Sequence, residues 1–339
     1  MTRVVNGRIF SNQRRAIITG TGCAVPEKIL TNDDLTQMVE TSDEWITSRT
    51  GIKRRHIIGE GETTASLGTD AARKALQAAG LDADDLDMII CATITPEMVF
   101  PATACFIQES LGNNHCCAFD LTAACSGFTY GVGIAAAFIS SGQCDNVMVI
   151  GAETLSNITN YQDRGSCILF GDGAGAALLQ AEENSERGVI YSSLHCDGSG
   201  WNTLGCQAYG SRYPANKPLA DKNKIYMEIN GRETYQLAVR RIVELIEDIY
   251  EKCHISNDDV SLVIPHQMNA RIIDSVVKRL RLPEEKMFVN IEKYGNTSAA
   301  SIPIALDEAV RQGRIGEGQL AILVAFGGGL TWAANLVKL

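Results

Sequence analysis

Long hydrophobic segments and an excess of basic charge are missing from this chain of 339 residues, and its first residues are not expected to act as a signal peptide. The longest apolar runs, such as residues 88–92 and 321–326, have the length of a strand and are too short to cross a bilayer. The first fifteen residues are polar and basic without an apolar core, which indicates a loose arm. We therefore expect a cytosolic protein with no membrane insertion.

Three further absences limit the possible functions. The eleven cysteines are odd in number and contain no Cys-x-x-Cys pair, so neither a disulfide framework nor a zinc site is expected. The formal net charge of −10 argues against a nucleic-acid partner. The segments Gly20-Thr-Gly22 and Gly171-Asp-Gly-Ala-Gly175 lack the third glycine or the context of a dinucleotide fingerprint. The sequence thus predicts no metal and no nucleotide cofactor.

What is present is a repeated α/β pattern. Strand-like apolar runs alternate with segments of helical period, which indicates the α/β class. Three pairs of segments match in the same order along the chain: 84–90 with 258–264, 133–151 with 304–325, and 170–173 with 326–329. The first pair follows amphipathic helices predicted over 65–79 and 235–252. We predict an N-terminal arm (1–14) and two similar halves (15–185 and 186–339), divided near a charged linker at 182–188.

The repeat also relates two polar residues. Cys125 lies 17 residues before Gly142, and Asn296 lies 17 residues before Gly313. This spacing predicts that Cys125 and Asn296 occupy equivalent places, each just before a helix. A pseudo-twofold arrangement of the halves would bring these places together at its centre.

Cys125, His266 and Asn296 are the candidate catalytic residues. Cys125 follows a strand-like segment among small residues, where a helix N-terminus stabilises a thiolate. His266 directly follows an apolar strand, and strand ends carry functional side chains in α/β folds. Taken alone, each has a plainer interpretation: a buried structural cysteine, a core histidine and a turn asparagine. The convergence of the three favours a catalytic function.

Two other features have alternative interpretations. The triplet Gly327-Gly-Gly329 ends an apolar strand, either as a turn that needs positive φ or as a close approach that points an amide at an oxyanion. The segment after His266 carries four cations, which form either a solvated face or a surface for an acidic partner. These cations are Arg271, Lys278, Arg279 and Arg281.

Motifs spread over residues 14–339 resemble the β-ketoacyl-acyl carrier protein synthase III family. They are Thr41-Ser-Asp-Glu-Trp45 with Arg49-Thr-Gly-Ile52, Ala123-Ala-Cys-Ser-Gly-Phe128, Asp163-Arg-Gly165, Phe170-Gly-Asp-Gly-Ala-Gly175, Pro265-His-Gln267, Tyr294-Gly-Asn-Thr-Ser298 and Phe326-Gly-Gly-Gly-Leu-Thr-Trp332. The resemblance implies a thiolase-like five-layer αβαβα fold and a homodimer. It also implies that Cys125 is acylated and that His266 and Asn296 promote decarboxylation.

The resemblance further implies where the substrates bind. Trp45 and Arg164 match residues on either side of the adenine of coenzyme A, Arg49 matches a phosphate contact, and Asn269 belongs to the same site. Other matches are Cys125 and Gly328 for the oxyanion hole, Phe100 (from the neighbouring subunit) and Phe326 for the acyl pocket, and Gln267, Arg271, Lys278 and Arg279 for carrier-protein docking. Two positions depart from the pattern, because Met268 replaces a common alanine and Gln236 replaces a frequent basic residue.

The expected reaction is a decarboxylative condensation that starts fatty-acid synthesis. A short acyl-CoA, with acetyl-CoA preferred, would acylate Cys125, and malonyl-acyl carrier protein would then be decarboxylated and condensed without a cofactor. A thiolase needs a second catalytic cysteine, and elongating synthases need a second histidine, but no histidine follows His266. The alternatives that stay open are a starter condensing enzyme of a secondary, polyketide-like pathway and a non-catalytic acyl-carrier-binding protein.

Overall fold

Two large sheets and the helices packed on them make up the computed structural model, which describes residues 7–11 and 13–339. The strands are β1 (Gly7–Ile9), β2 (Arg14–Ala24), β3 (Ile29–Thr31), β4 (Arg54–His56), β5 (Met88–Ala92), β6 (Cys117–Leu121), β7 (Asn146–Glu153), β8 (Gly173–Glu183), β9 (Gly188–Cys196), β10 (Leu204–Cys206), β11 (Met227–Ile229), β12 (Leu262–Pro265), β13 (Leu320–Gly327) and β14 (Thr331–Lys338). The helices are α1 (Asn32–Leu35), α2 (Asp43–Thr50), α3 (Thr64–Ala79), α4 (Thr103–Leu111), α5 (Gly127–Ser140), α6 (Gly231–Cys253), α7 (Ala270–Leu280), α8 (Ile291–Tyr294) and α9 (Ser301–Arg311).

The two sheets share an arrangement of four strands, and each has one further edge strand, β6 in sheet one and β1 in sheet two. Sheet one has the strand order β2-β8-β7-β5-β6, and sheet two has the order β1-β9-β14-β13-β12. In each sheet a parallel pair (β5 with β7, β12 with β13) is followed by an antiparallel strand (β8 or β14). The matched segments 147–151 and 321–325 therefore lie on corresponding strands, β7 and β13.

Helices separate and cover the two sheets. α5 and α9 pack between the sheets, in one core with residues of β5, β7, β12 and β13. On the outside, α3 and α4 pack with sheet one, and α6 and α7 pack with sheet two. The resulting order of layers is helix, sheet, helix, sheet, helix, which confirms the predicted thiolase-like αβαβα fold. Helices predicted over 65–79 and 235–252 lie within α3 and α6.

The central core is shared by both sheets. Phe128 and Val132 of α5 and Ile302 of α9 lie in one buried cluster with strand residues such as Ile90 and Ile264. Glycine and alanine are frequent in α5, and small side chains let the helix approach both sheets closely. This packing fixes the N-termini of α5 and α9 relative to one another.

The N-terminal arm differs from the prediction of a loose segment. Residues 7–9 form β1, which pairs antiparallel with β9 at the edge of sheet two, with Gly7 opposite Ser193. The prediction is wrong for these residues because backbone hydrogen bonds hold them to the sheet. Residues 1–6 lie outside the described residues. Within the described part of the chain, no helix is both long enough and apolar enough to cross a membrane.

Candidate active site

One cavity brings the three candidate catalytic residues together. Cys125, His266 and Asn296 all line it, and its volume is about 640 Å³. Much of the remaining wall is apolar. The apolar lining residues include Ile94, Leu155, Ile158, Leu169, Phe170, Leu204, Met227 and Phe326. An apolar cavity with a few polar groups is typical of a small-molecule site.

The turn that carries Cys125 recurs in the other half of the chain. Cys125 lies in a 3-10 turn (Ala124–Ser126) before α5, and Ala124 has φ +45°, in the left-handed region. The corresponding turn (Ser298–Ala300) precedes α9, and Ser298 has φ +48°. Cys125 is therefore equivalent to Ala299, and the predicted equivalence with Asn296 is wrong. The spacing was misleading because α5 has 14 residues and α9 has 11.

Burial controls the protonation of Cys125. The residue is only 8% exposed, and burial raises the pKa of its thiol to about 12. The hydroxyl of Ser298 and the amides of Cys125 and Gly328 act in the opposite direction, with a smaller effect. The expectation that a helix N-terminus keeps a thiolate at rest is therefore outweighed by desolvation. The resting nucleophile is a thiol.

The glycine triplet that begins at the last residue of β13 contains both a close backbone approach and a positive φ. A β-carbon on Gly327 would lie 2.7 Å from the Cys125 nitrogen, so this position requires a glycine for close approach. Gly329 has φ +133°, a conformation that side chains disfavour. The Gly328 amide lies close enough to Cys125 to influence its sulfur.

His266 is buried and neutral. His266 follows β12 and is 1% exposed. Its backbone N–H donates to the Val324 carbonyl at 2.8 Å. Burial lowers the pKa of its imidazole to about 3. Nδ1 lies 2.5 Å from the hydroxyl oxygen of Ser301. A neutral ring with one nitrogen held in this way presents its other nitrogen, Nε2, as the atom that can meet a ligand.

Asn296 is held by its own loop. Its side-chain Oδ1 accepts a hydrogen bond from the Ser298 N–H at 2.9 Å, and its backbone N–H donates to the Leu169 carbonyl at 2.8 Å. With the oxygen engaged, the side-chain nitrogen is the group that can donate to a ligand. Asn296 and neutral His266 therefore offer two donors to the same cavity.

Glu153 is a buried polar residue that the sequence analysis did not single out. One oxygen, Oε2, accepts hydrogen bonds from the Ile94 and Thr95 amides and from the hydroxyls of Thr93 and Thr95. The other oxygen, Oε1, has no hydrogen-bond partner within the described residues. Burial raises the pKa of this carboxyl to about 7. The sequence feature that could have pointed to Glu153 is its position at the end of an apolar strand, β7.

The Ser298 hydroxyl lies between Cys125 and Glu153. It favours the ionised form of both groups, although no contact it makes with a described residue has ordinary hydrogen-bond geometry. Neither Ser298 nor Ser301 was assigned a role from sequence, because small hydroxyl side chains are common in turns. Within the described chain, no group of three or more His, Cys, Asp or Glu side chains could hold a metal ion.

The candidate coenzyme A residues form a stack outside this cavity. The guanidinium carbons of Arg49 and Arg164 lie 4.6 Å and 4.8 Å from the centre of the Trp45 ring. Stacking an adenine between Trp45 and Arg164 needs about 7 Å between them, two van der Waals contacts. The observed 4.8 Å contact therefore leaves no room for an adenine between these two side chains in their present positions. Asn269 connects this stack to the cavity, because it lines the cavity and donates to the Arg49 carbonyl at 3.1 Å.

The candidate docking residues do not all reach the surface. Gln267 is 1% exposed, donates to the carbonyls of Pro265 and Phe288, and accepts from the Asn290 N–H. The prediction that Gln267 contacts a carrier protein is wrong, because its side-chain amide is buried and hydrogen-bonded to backbone groups inside the fold. The candidate cations of α7 are exposed: Arg271, Lys278 and Arg279. Gln236 is also exposed, on α6.

The two predicted acyl-pocket residues differ in position. Phe326 is 2% exposed and lines the cavity. Phe100 is 81% exposed and does not line the cavity of its own chain. Met268 also lines the cavity, between His266 and Asn269, so the departure at this position lies within the site.

Comparisons with known proteins agree with this geometry. Residues 119–198 match the family model described as 3-oxoacyl-[acyl-carrier-protein (ACP)] synthase III, and residues 250–339 match the model of its C-terminal part. A β-ketoacyl-[acyl-carrier-protein] synthase III from Caldanaerobacter subterraneus subsp. tengcongensis is 50% identical over 321 residues, covering 95% of this chain and 97% of the relative. A protein of the same name from Natranaerobius thermophilus is 50% identical over 325 residues, covering 95% of this chain and 99% of the relative.

A solved structure shows the same fold. The crystal structure of 3-oxoacyl-[acyl-carrier-protein] synthase III from Aquifex aeolicus VF5 superposes with a TM-score of 0.89 at 46% identity. The superposition covers 96% of this chain and 100% of the other.

Proposed function

Because this chain belongs to the 3-oxoacyl-[acyl-carrier-protein] synthase III family, we propose that it starts fatty-acid synthesis by condensing a short acyl-CoA with malonyl-acyl carrier protein. The observation that carries the proposal is the presence of Cys125, His266 and Asn296 on one cavity wall. A nucleophile and two hydrogen-bond donors are the groups that this condensation needs. The proposal requires no metal or redox cofactor and assigns the reaction to the cytoplasm.

The first half-reaction acylates Cys125. The sulfur attacks the thioester carbon of acyl-CoA, the bond from that carbon to the CoA sulfur breaks, and the thiol proton leaves with CoA. The amides of Cys125 and Gly328 would hold the oxyanion, and each well-placed donor contributes about 3 kcal/mol. Because the resting thiol has a raised pKa, its proton must depart as the new bond forms.

The second half-reaction uses His266 and Asn296. Both donate hydrogen bonds to the thioester carbonyl of the malonyl group, so that carbon dioxide leaves and an enolate remains. The enolate carbon then attacks the acyl carbon on Cys125, and the cysteine sulfur leaves and regains a proton. The product is a 3-oxoacyl-acyl carrier protein. A low pKa suits His266 to this role, since a neutral imidazole donates without leaving a buried positive charge.

The substrates approach from the surface that carries Trp45 and α7. Trp45 and Arg164 would hold the adenine, Arg49 the phosphates, and Asn269 the chain that leads to Cys125. The exposed cations Arg271, Lys278 and Arg279 would receive the acidic carrier protein.

A homodimer would complete the acyl pocket. Three consecutive apolar residues, Met98, Val99 and Phe100, are 46%, 86% and 81% exposed. A contiguous exposed apolar segment is typical of an interface. We propose that Phe100 enters the partner's cavity, limits its depth and favours acetyl or another small primer. Val99→Asp is expected to shift the protein towards the monomer in sedimentation experiments.

The decisive experiment measures intact mass after the protein is mixed with a panel of acyl-CoAs, without any malonyl substrate. One acyl adduct is expected, mapped to Cys125 by peptide analysis, with the largest yield for the preferred primer. Cys125→Ala should abolish the adduct while coenzyme A binding persists. Cys91→Ala is the matched control, because Cys91 is fully buried and does not line the cavity. Its loss should leave the adduct unchanged.

Two outcomes would favour the alternatives. No adduct with any short or medium acyl group would favour a non-catalytic acyl-carrier-binding protein. An adduct followed by condensation only with the carrier protein of a secondary pathway would favour a polyketide-like starter enzyme.

His266→Ala and Asn296→Ala should form the acyl-enzyme but release no condensation product.

A further inference from the structure

The imidazole of His266 is held by the hydroxyl of Ser301. Ser301 Oγ lies 2.5 Å from Nδ1 of the ring, and the two residues are 3% and 1% exposed. Ser301 is the first residue of α9, so its position is set by a central helix. This contact therefore connects the candidate decarboxylation residue to the central helix layer of the fold.

The hydroxyl has one proton and two acceptors within reach. Besides His266 Nδ1, the Ser298 carbonyl oxygen lies 3.0 Å from Oγ. The backbone N–H of Gln267 donates to Ser301 Oγ at 3.3 Å. A serine hydroxyl carries a single proton, so it donates to Nδ1 or to the carbonyl and never to both. A ring that donates from Nε2 to a thioester carbonyl, as the function proposed above requires, leaves Nδ1 as an acceptor, and Ser301 Oγ at 2.5 Å is the hydroxyl placed to donate to it.

This choice decides where the imidazole proton lies. A neutral ring carries one N–H, and burial keeps His266 neutral. When Ser301 donates to Nδ1, the proton is on Nε2, which can donate to a thioester carbonyl. When Ser301 donates to the Ser298 carbonyl, the ring proton is on Nδ1. Nε2 then turns a lone pair towards the carbonyl oxygen, which repels it.

We propose that Ser301 is a positioning residue that holds His266 in the Nε2–H tautomer needed for decarboxylation, an inference that rests on the function proposed above. Ser301 acts through the imidazole and touches no reacting atom. Its loss should therefore damage the decarboxylation half-reaction and spare the acylation of Cys125, which uses the sulfur and backbone amides. A merely structural role would damage both.

The test compares Ser301→Ala and Ser301→Thr in the two half-reactions. Acylation is measured by intact mass, and decarboxylation by release of labelled carbon dioxide from malonyl-acyl carrier protein. Ser301→Ala should acylate within about threefold of the unmodified protein and release carbon dioxide about 100-fold more slowly, the effect of one lost donor. Ser301→Thr keeps the hydroxyl and should recover most of the rate. Equal losses in both half-reactions would overturn the proposal.

Ser193→Ala provides the matched control. Ser193 is fully buried, and its Oγ lies 2.6 Å from Nε2 of His195, outside the cavity. The variant removes a serine–histidine contact outside the cavity and should leave both half-reactions unchanged. A loss of decarboxylation equal to that of Ser301→Ala would overturn the specific role of Ser301.

Nitrogen-15 NMR of the histidines tests the tautomer directly. In the unmodified protein the His266 signals, assigned with His266→Gln, should show the proton on Nε2. An Nδ1–H ring would overturn the proposal. This spectrum decides the question even if Ser301→Ala fails to fold. It needs no turnover, so failure of the proposed function, seen as no acyl-enzyme, stays distinguishable from failure of this inference.

Discussion

Gly327 lies directly against the backbone of Cys125, close enough that a β-carbon at position 327 would come 2.7 Å from the Cys125 nitrogen. Ordinary non-bonded contact needs about 3.5 Å. The neighbouring atoms at this place belong mainly to the Cys125 backbone, so they cannot rotate away. The strand end of one half thus fixes the nucleophile turn of the other.

Gly327→Ala should therefore displace the nucleophile and its oxyanion amide. We expect acyl transfer to Cys125 to fall about 100-fold or more, because a misplaced oxyanion donor loses most of its effect. The measurement is the rate of acyl-enzyme formation by mass spectrometry. Gly316→Ala is the control, since a β-carbon there meets no atom closer than 3.9 Å. Unchanged acylation in Gly327→Ala would contradict the proposed tight contact.

Arg164→Ala should weaken the binding of acyl-CoA and not the chemistry. The guanidinium, which lies on the Trp45 ring in the free protein, would cover the other face of the bound adenine, where an exposed cation–π contact contributes about 1 kcal/mol. We expect the KM for acyl-CoA to rise about fivefold, with little change for an acyl thioester that lacks the nucleotide. Arg241→Ala, which removes a similar stack on Trp332, is the control. Equal effects on both thioesters would show that Arg164 does not contact the nucleotide.

Alkylation of Cys125 should be slow near neutral pH. Burial raises the pKa of this thiol to about 12, and only the thiolate reacts with iodoacetamide. The rate at Cys125, followed by peptide mass mapping, should rise about tenfold per pH unit between pH 7 and pH 9. Prior acylation should abolish the reaction at this cysteine. A plateau below pH 8 would mean that the helix N-terminus overcomes burial.

Glu153→Gln should change how stability depends on pH. Burial raises the pKa of the Glu153 carboxyl from 4.5 to about 7 in the folded chain. Between pH 4.5 and pH 7 only the unfolded chain loses the Glu153 proton, so the free energy of unfolding of the unmodified protein falls as pH rises. Above pH 7 both states have lost the proton, and this loss of stability stays constant. The variant carries no such charge. The free energy of unfolding of the variant should equal that of the unmodified protein near pH 4.5 and exceed it by about 3 kcal/mol at pH 8.

Urea unfolding at pH 5, 6, 7 and 8 measures this difference. Glu60→Gln, which makes the same change at an exposed glutamate, is the control. A constant gap between Glu153→Gln and the unmodified protein across this range would mean that Glu153 is not protonated at neutral pH in the folded chain.

The sequence predicted the repeated sheets and the cavity residues because these depend on strand patterns and strand ends. His266 and Cys125 each follow an apolar run, and such runs are readable without coordinates. The equivalence of Cys125 with Ala299 was not readable, because a count from Gly142 and Gly313 assumes helices of equal length. The packing between two sheets sets those lengths, and it does not appear in the sequence.

Side-chain direction was the second limit. Gln267 is polar and adjacent to His266, which suggests an exposed residue. Its amide is nevertheless hydrogen-bonded to the nearby Pro265 carbonyl and to backbone groups of Phe288 and Asn290, which lie 21 and 23 residues later in the chain. Ser301 was missed for the same reason, since its partner His266 lies 35 residues earlier in the chain. Contacts between distant segments depend on the tertiary fold and not on local propensity.

The shared central core has a consequence for folding. α5 and α9 each bury apolar side chains in one cluster with both sheets. Either half alone would therefore expose a large hydrophobic surface and would not fold as an independent unit. Unfolding should then be cooperative across the whole chain. The nucleophile comes from one half and its two partners from the other, so no partly folded chain can assemble the reactive set. Chemistry becomes possible only when folding is complete.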